Sequence, residues 1–159
     1  MGDEIGQWRE WGHDTSIDWH LLSYPPHEGL LRYVSDLNAV YRAEPSLHVN
    51  DNDPSGFEWL DSGDAASSTL SFLRHSARDS GVLVVCNLTP VPRELQVGLP
   101  QSGPWLELIN SDSTLYGGSG IGNLGCIEAT EVPAQGQPFS GKLVAPPLGV
   151  VMFRHEHSA

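Results

Sequence analysis

Short apolar and alternating runs fill the chain from Phe57 onward and predict strands. Gly, Pro, Ser, Asn and Asp separate these runs at short intervals, which is typical of an antiparallel β-sandwich. Val82–Val85 is apolar throughout, as in a central strand covered on both faces, whereas Glu94–Val97 alternates as a half-exposed strand does. The predicted strands are Phe57–Leu60, Leu70–Arg74, Val82–Leu88, Glu94–Leu99, Trp105–Ile109, Ile127–Val132, Lys142–Val144 and Val150–Arg154.

One amphipathic helix is predicted ahead of these strands, over residues 27 to about 43. Pro25 and Pro26 suit its first turn, where a missing N–H costs nothing, and Pro45 ends it. Its stripe of helically spaced apolar residues consists of Leu30, Leu31, Tyr33, Val34, Leu37, Val40 and Tyr41. Because no element precedes the helix to cover this stripe, we expect an exposed face that offers a surface for self-association.

The segments on either side of the helix lack periodicity. Residues 1 to 26 hold three of the five tryptophans among polar residues and predict a long loop. Residues 44 to 56 are rich in Pro, Asn, Asp, Ser and Gly and predict a linker. The order is therefore loop, helix, linker and β domain, and the first three parts suggest a connection to something larger.

Composition excludes several classes of protein. The 159 residues include 8 Lys and Arg against 20 Asp and Glu, a net charge of −12, which disfavours binding to nucleic acid or to anionic membranes. A complete (β/α)8 barrel needs about 250 residues and does not fit. No signal peptide or apolar span is present, so we expect a cytoplasmic protein, with Cys86 and Cys126 as reduced thiols.

Long motifs cover nearly the whole chain. They are Met1–Trp11, His13–Trp19, Pro25–Arg42, Asp53–Trp59, Val85–Arg93, Tyr116–Gly120 and Gly122–Gly125. These motifs closely resemble bacterial 1,4-α-glucan (glycogen) branching enzymes of the α-amylase-type glycoside hydrolase superfamily. The resemblance implies a mainly β fold, in which residues 1–45 are the eighth-strand loop and final helix of a (β/α)8 barrel. Residues 46–159 would then form the C-terminal antiparallel β-sandwich, and the helix stripe would pack on the missing barrel.

The resemblance also implies a reaction. Branching enzymes of this type cleave an α-1,4 glucan chain by retaining transglycosylation and transfer the segment to a C6 hydroxyl, forming the α-1,6 branches of glycogen. The family's catalytic carboxylates lie in motifs on earlier strands, and no position of this sequence matches them. We therefore assign no catalytic residue and expect the chain alone to be inactive, with α-glucan as the partner of the parent enzyme.

The loop at residues 1 to 26 holds the candidate substrate-binding residues. Loops at the C-terminal ends of barrel strands carry the active site in barrel enzymes, so a loop that follows the eighth strand lies near the glucan cleft. Tryptophan faces suit the apolar faces of pyranose rings, but the same rings could serve only to pack the loop. The candidates are Glu4, Gln7, Trp8, Trp11 and Trp19.

Two other motifs mimic ligand sites without the required context. Gly120–Gly125 fits GxGxxG, but a predicted strand follows it and Ser140 and Gly141 stand where an acidic residue is needed. His155 and His157 could hold a metal ion, but no third ligand lies nearby in sequence. We therefore assign neither a cofactor nor a metal.

A second hypothesis is a stand-alone β-sandwich that binds glucan or acts as a structural accessory. A binding module exposes an aromatic platform. Most aromatic residues of the β region, including Trp59 and Trp105, fall in predicted strands, where burial is the usual outcome. This placement favours a structural role for the sandwich.

Overall fold

The computed structural model describes residues 1–63, 66–76 and 81–156 of the chain. Within these ranges the elements are helix α1 (Pro25–Ala43) and strands β1 (Phe57–Asp61), β2 (Thr69–Arg74), β3 (Val82–Asn87), β4 (Arg93–Leu99), β5 (Gly103–Asn110), β6 (Cys126–Thr130), β7 (Phe139–Ala145) and β8 (Gly149–His155). The predicted helix and each predicted strand are present, with ends shifted by a few residues. The mainly β fold is confirmed.

All eight strands belong to one antiparallel sheet. Their order is β1-β2-β3-β8-β5-β6-β7-β4, so strands that are distant in sequence lie side by side. The sheet folds over on itself, because alternate residues of seven strands meet in a single apolar core. Gln137, before β7, donates to the Glu58 carboxylate of β1 at 2.7 Å and links distant parts of the sheet. This arrangement is the predicted antiparallel sandwich.

The core lies between the two halves of the folded sheet. Trp105 and Phe153 are its largest fully buried side chains, and the Trp105 indole N–H donates to the Gln101 carbonyl oxygen at 3.1 Å. That bond satisfies the one polar group that the ring brings into the core. The core residues are Leu73, Leu83, Val85, Val97, Leu99, Trp105, Ile127, Ala129, Leu143, Ala145, Val151 and Phe153.

Strand β3 is covered on both faces, as its uninterrupted apolar run predicts. Leu83 and Val85 point into the core, while Val82 and Val84 belong to a second apolar cluster on the outer face of the sheet. Leu47 completes this outer cluster, and Val40 of α1 packs against it. The outer cluster therefore gives α1 a partner on the sandwich.

The apolar stripe of α1 is partly buried, so the expectation that it is exposed was wrong. Leu30, Val34 and Leu37 are half-buried, and only Tyr41 among the stripe residues is exposed, at 45%. The covering groups come from this chain: the short 3-10 turns at residues 3–5, 19–23 and 114–116, and the outer face of the sheet. Groups of this chain thus cover part of the apolar stripe of α1, which the sequence analysis expected a barrel outside the chain to cover.

Helix α1 approaches the loop between β5 and β6 closely at Gly29. A Cβ atom at this position would overlap the main-chain carbonyl group of Tyr116, so a residue without a side chain is required. The Tyr116 hydroxyl donates to Asp36 at 2.9 Å, and its ring meets Tyr33 edge to face at 5.2 Å. Desolvation first, and then the bond to Asp36, raise the pKa of Tyr116 to about 12. The hydroxyl therefore stays protonated and donates across the physiological range.

The glycine-rich loop between β5 and β6 is fastened at both ends. Asn110 donates to the Ile121 carbonyl oxygen at 2.9 Å, and the N–H of Glu107 donates to the Gly125 carbonyl oxygen at 2.8 Å. Burial raises the pKa of the Glu107 carboxyl group, although hydrogen bonds with Asn123 oppose the shift. Among the described residues, the Glu107 Oε2 atom has no hydrogen-bond partner. The ionised form of the Glu107 carboxyl group therefore destabilises the folded chain.

The raised pKa of Glu107 predicts a pH-dependent contribution to stability. Between the ordinary carboxyl pKa and the raised one, the folded chain binds more protons than the unfolded chain, so this contribution falls as the pH rises. We expect Glu107→Gln to gain stability relative to the parent chain as the pH rises above the ordinary carboxyl pKa of about 4 and Glu107 ionises. Urea unfolding at several pH values measures this difference.

Glu94→Gln is the matched control, because Glu94 is exposed. Its stability curve should run nearly parallel to that of the parent chain. Curves for Glu107→Gln that also run parallel to the parent curve would show that Glu107 is not responsible.

Candidate functional site

The loop ahead of α1 is held by its own polar side chains. The Gln7 side chain accepts from the N–H of Asp18 at 3.1 Å and donates to the Arg9 carbonyl oxygen at 3.1 Å. The Arg9 guanidinium binds both oxygens of the Asp18 carboxylate, at 2.9 and 2.7 Å, and thereby lowers the pKa of Asp18. Glu4 accepts from the N–H of Gly2 at 3.2 Å. Two candidates, Glu4 and Gln7, therefore have structural partners inside the loop.

The three candidate tryptophans are exposed. Trp8 is 77% exposed, Trp11 54% and Trp19 55%. Within the described residues, no ring pair joins any two of them; Trp11 instead lies 6.5 Å from the His13 ring. The structure therefore presents three separate aromatic surfaces and no shared stacking platform in this loop.

Trp8 has neighbours that the sequence did not reveal. Its ring lies 5.3 Å from the His27 ring and 6.5 Å from the Tyr24 ring, nearly parallel to the latter. The His27 Nδ1 atom lies 2.7 Å from the carbonyl oxygen of Ile5, a fully buried residue, and this contact ties the loop to the first turn of α1. The short 3-10 turn at Asp3–Ile5 brings that carbonyl to His27. Trp8 is thus positioned by the helix as well as by its own loop.

A second aromatic group lies on the sandwich. Phe57 and Trp59 alternate on β1, and Trp59 pairs in register with Phe72 of β2. The rings pack mutually, with centroid distances of 4.9 Å (Phe57 to Trp59), 5.1 Å (Phe57 to Phe72) and 5.6 Å (Trp59 to Phe72). Trp59 is 52% exposed and Phe57 39%. We call these three residues the aromatic platform.

The aromatic platform corrects the expectation that strand aromatics are buried. Trp105 and Phe153 are buried as expected, but β1 is an edge strand whose outer face carries Phe57 and Trp59. An apolar cavity of about 420 Å³ lies beside it, between α1 and the outer face of the sheet, and Phe72 and Tyr41 line part of it. The sandwich therefore has an exposed aromatic surface suited to a flat, partly apolar ligand.

Comparison with known proteins decides the family. A family model described as the alpha amylase, C-terminal all-beta domain matches residues 59–156. The chain belongs to this family. The match begins at Trp59 on β1 and runs through β8, so it covers nearly the whole sandwich and leaves out α1 and the loop ahead of it.

Full-length relatives match almost the entire chain. A protein named 1,4-alpha-glucan branching enzyme GlgB from Pseudomonas putida is 52% identical over 155 residues, which is 97% of this chain and 21% of the relative. The protein of the same name from Aquifex aeolicus is 52% identical over 158 residues, 98% of this chain and 25% of the relative. The chain thus spans about a fifth to a quarter of the length of these curated relatives and matches their C-terminal portion. The resemblance to branching enzymes is confirmed.

A solved structure shares the fold. The crystal structure of alpha-amylase from H. orenii matches with a TM-score of 0.50 and 19% identity, covering 80% of this chain and 20% of that one. At this identity the likeness concerns the fold alone. It agrees with the all-β domain that the family model identifies.

Three acidic residues of this all-β domain and the segments ahead of it have polar partners. Burial raises the pKa of Asp112, but hydrogen bonds from Ser119 and Ile121 outweigh it and lower that pKa. Hydrogen bonds from Ser55 lower the pKa of Asp53 at a short 3-10 turn. His13 and Asp14 pair with each other at 3.1 Å in an exposed position. Asp112 and Asp53 thus each fix a turn, whereas the exposed pair of neighbours His13 and Asp14 fixes neither a turn nor a loop.

We also searched the described residues for metal sites and for membrane-spanning helices. Among them, no group of three or more His, Cys, Asp or Glu residues could hold a metal ion. His157, half of the histidine pair noted in the sequence, lies outside the described residues. No helix in the described part of the chain is long and apolar enough to cross a membrane.

Proposed function

We propose that this chain is the C-terminal part of a 1,4-α-glucan branching enzyme. The parent enzyme would cleave an α-1,4 glucan chain and transfer the segment to a C6 hydroxyl, forming α-1,6 branches during glycogen synthesis in the cytoplasm. The observation that carries this proposal is the 52% identity to a branching enzyme over 97% of the chain. A match of that length includes the loop and α1 as well as the sandwich.

The roles that we propose for the two regions of the chain rest on which residues each comparison matches. The all-β family model starts at residue 59, whereas the branching enzymes also match the loop and α1. We propose that residues 1–45 are the last loop and helix of the (β/α)8 barrel and that residues 46–159 form the C-terminal domain. The catalytic carboxylates would lie in the barrel and the sandwich would hold its last helix in place. No cofactor, metal, nucleic acid or membrane takes part in this proposal.

The loop of residues 1–26, called the front loop from here on, would face the glucan in the parent enzyme. Trp8, Trp11 and Trp19 present exposed rings, which suit the apolar faces of sugar residues. Glu4 and Gln7 would act mainly by holding the loop, since both bond within it. Trp8 is the leading candidate for substrate contact, because it is the most exposed of the three and α1 positions its neighbours.

A chimera tests the proposed function. This chain replaces the matching C-terminal portion of the Pseudomonas putida relative, and amylose branching is measured by the α-1,6 linkages that a debranching enzyme releases. We expect the chimera to branch amylose and the isolated chain to form no α-1,6 linkages, because the reacting carboxylates lie upstream. The control is the same relative truncated before the replaced portion. Branching by the isolated chain, or an inactive chimera that folds correctly, would contradict the proposal.

A second candidate function, glucan binding by the sandwich itself, is supported by the aromatic platform. Phe57, Trp59 and Phe72 form a partly exposed ring cluster on an edge strand, where a glucan chain could stack without displacing protein. This activity would also belong to a free-standing domain, and it is compatible with the proposed role in the parent enzyme.

Trp59→Ala tests binding at the aromatic platform. In native electrophoresis through an amylose-containing gel, we expect the isolated chain to be retarded and Trp59→Ala to lose most of that retardation, because the exposed ring face is removed. Leu115→Ala removes an exposed apolar side chain outside the platform and serves as the control. Equal retardation of Trp59→Ala and the parent chain would rule out the platform, and loss in Trp8→Ala instead would assign binding to the front loop.

A further inference from the structure

One hairpin is bonded to both edge strands of the sheet, β1 and β4. In this hairpin the main chains of Ala134 and Gln137 exchange two hydrogen bonds, at 3.2 and 2.8 Å, and the two residues between them have positive φ, as a two-residue turn favours. At one edge, the Gly98 N–H of β4 donates to the Gln135 side-chain oxygen at 2.8 Å. We call residues 134–137 the edge hairpin.

At the other edge, the edge hairpin reaches β1 through the Glu58 carboxylate. The Gln137 side chain donates to Glu58 Oε1 at 2.7 Å, and the Nε2 atom of His75, just after β2, lies 3.0 Å from Glu58 Oε2. The two oxygens of one carboxylate thus contact side chains from two different parts of the fold. Strand β1 pairs only with β2, so the bond to Gln137 is a second attachment for this edge strand.

Glu58 lies between the two exposed rings of β1 but on the opposite face of the strand. Phe57 and Trp59 are exposed on the outer face, whereas Glu58 shares the inner face with Leu60, which packs on the core. The regular pairing of β1 with β2 is interrupted directly after Trp59, between Trp59 and Asp61. Trp59 therefore sits where the strand pairing becomes irregular, next to a side chain that is held at both of its oxygens.

We propose that Glu58 is a positioning residue for glucan binding at the aromatic platform, with Gln137 as its anchor. The inference rests on the second candidate function, because it concerns how the same surface is held. An aromatic surface that is already ordered loses less conformational entropy when a sugar ring stacks on it. Glu58 does not face the glucan, since its side chain lies on the inner face of β1; it acts through the strand that carries Phe57 and Trp59.

Substitutions at the two ends of this bond test the proposal. Glu58→Ala and Gln137→Ala each remove the bond, and we expect both to weaken amylose binding by roughly threefold to tenfold, because binding must then order the exposed rings. Affinity electrophoresis at several amylose concentrations, well below the Tm of each variant, measures the change. Glu58→Gln keeps an oxygen acceptor for Gln137 and should restore most of the binding.

Gln135→Ala is the matched control, because it removes the bond from the same hairpin to β4 and leaves the bond to Glu58 in place. It should lower the Tm of the chain, since the Gly98 N–H loses its acceptor, without weakening amylose binding. Equal weakening by Gln135→Ala would overturn the proposal, because the loss would then reflect general loosening of the edge hairpin. Unchanged binding by Glu58→Ala or by Gln137→Ala would overturn it as well.

The Trp59 ring gives a second readout that needs no glucan. In a chain labelled with fluorotryptophan, the Trp59 resonance is identified by its absence in Trp59→Phe. We expect this resonance to shift or broaden in Glu58→Ala and Gln137→Ala and to stay unchanged in Gln135→Ala, because only the first two variants lose the second attachment of β1. An unchanged resonance together with weakened binding would contradict a positioning role.

The two readouts separate this inference from the function on which it rests. If amylose does not retard the parent chain, the second candidate function is wrong. An altered Trp59 resonance in Glu58→Ala would in that case still support the role of Glu58 in holding the ring, and an unaltered one would overturn that role too.

Discussion

The contact between α1 and the β5–β6 loop at Gly29 determines how the two parts of this chain fit together. Because a side chain at that position would overlap the Tyr116 carbonyl group, the helix lies directly on the loop main chain. Tyr116 then reaches Asp36, and farther along the helix Val40 packs on the outer cluster of the sheet. These contacts bury part of the amphipathic face of α1, and helices in proteins are stabilised mainly by such packing rather than by their own hydrogen bonds. The loop, the helix and the sandwich consequently act as one structural unit.

The same helix connects the all-β domain to the loop ahead of α1. The front loop is joined to α1 through His27 and Ile5, and α1 is joined to the sandwich through Gly29 and Tyr116. Under the proposed function, the sandwich fixes the last barrel helix and, through it, the exposed Trp8. The aromatic platform lies on the same outer face of the sheet that α1 contacts, beside the cavity between the helix and the sheet.

Local sequence patterns predicted the strands and the helix because side-chain periodicity depends on neighbouring residues. The run Val82–Val85 correctly indicated a strand covered on both faces, and Pro25 correctly marked a helix start. The strand order could not be predicted in this way, because β8 pairs with both β3 and β5 through long-range contacts. The partner of α1 was missed for the same reason. The platform left a usable signal: Phe57 and Trp59 are two residues apart on one strand, which places both rings on one face. Whether that face is covered depends on β1 lying at the sheet edge.

Gly29→Ala tests the central contact most directly, because two effects of opposite sign compete. Helix propensity alone favours alanine over glycine by about 0.5–1 kcal/mol, so a helix with free space at this position should gain stability. The account predicts instead a loss of roughly 1–3 kcal/mol in urea unfolding, because the added methyl group must displace the Tyr116 main chain. Unchanged or increased stability of Gly29→Ala would show that α1 does not depend on this contact with the sandwich.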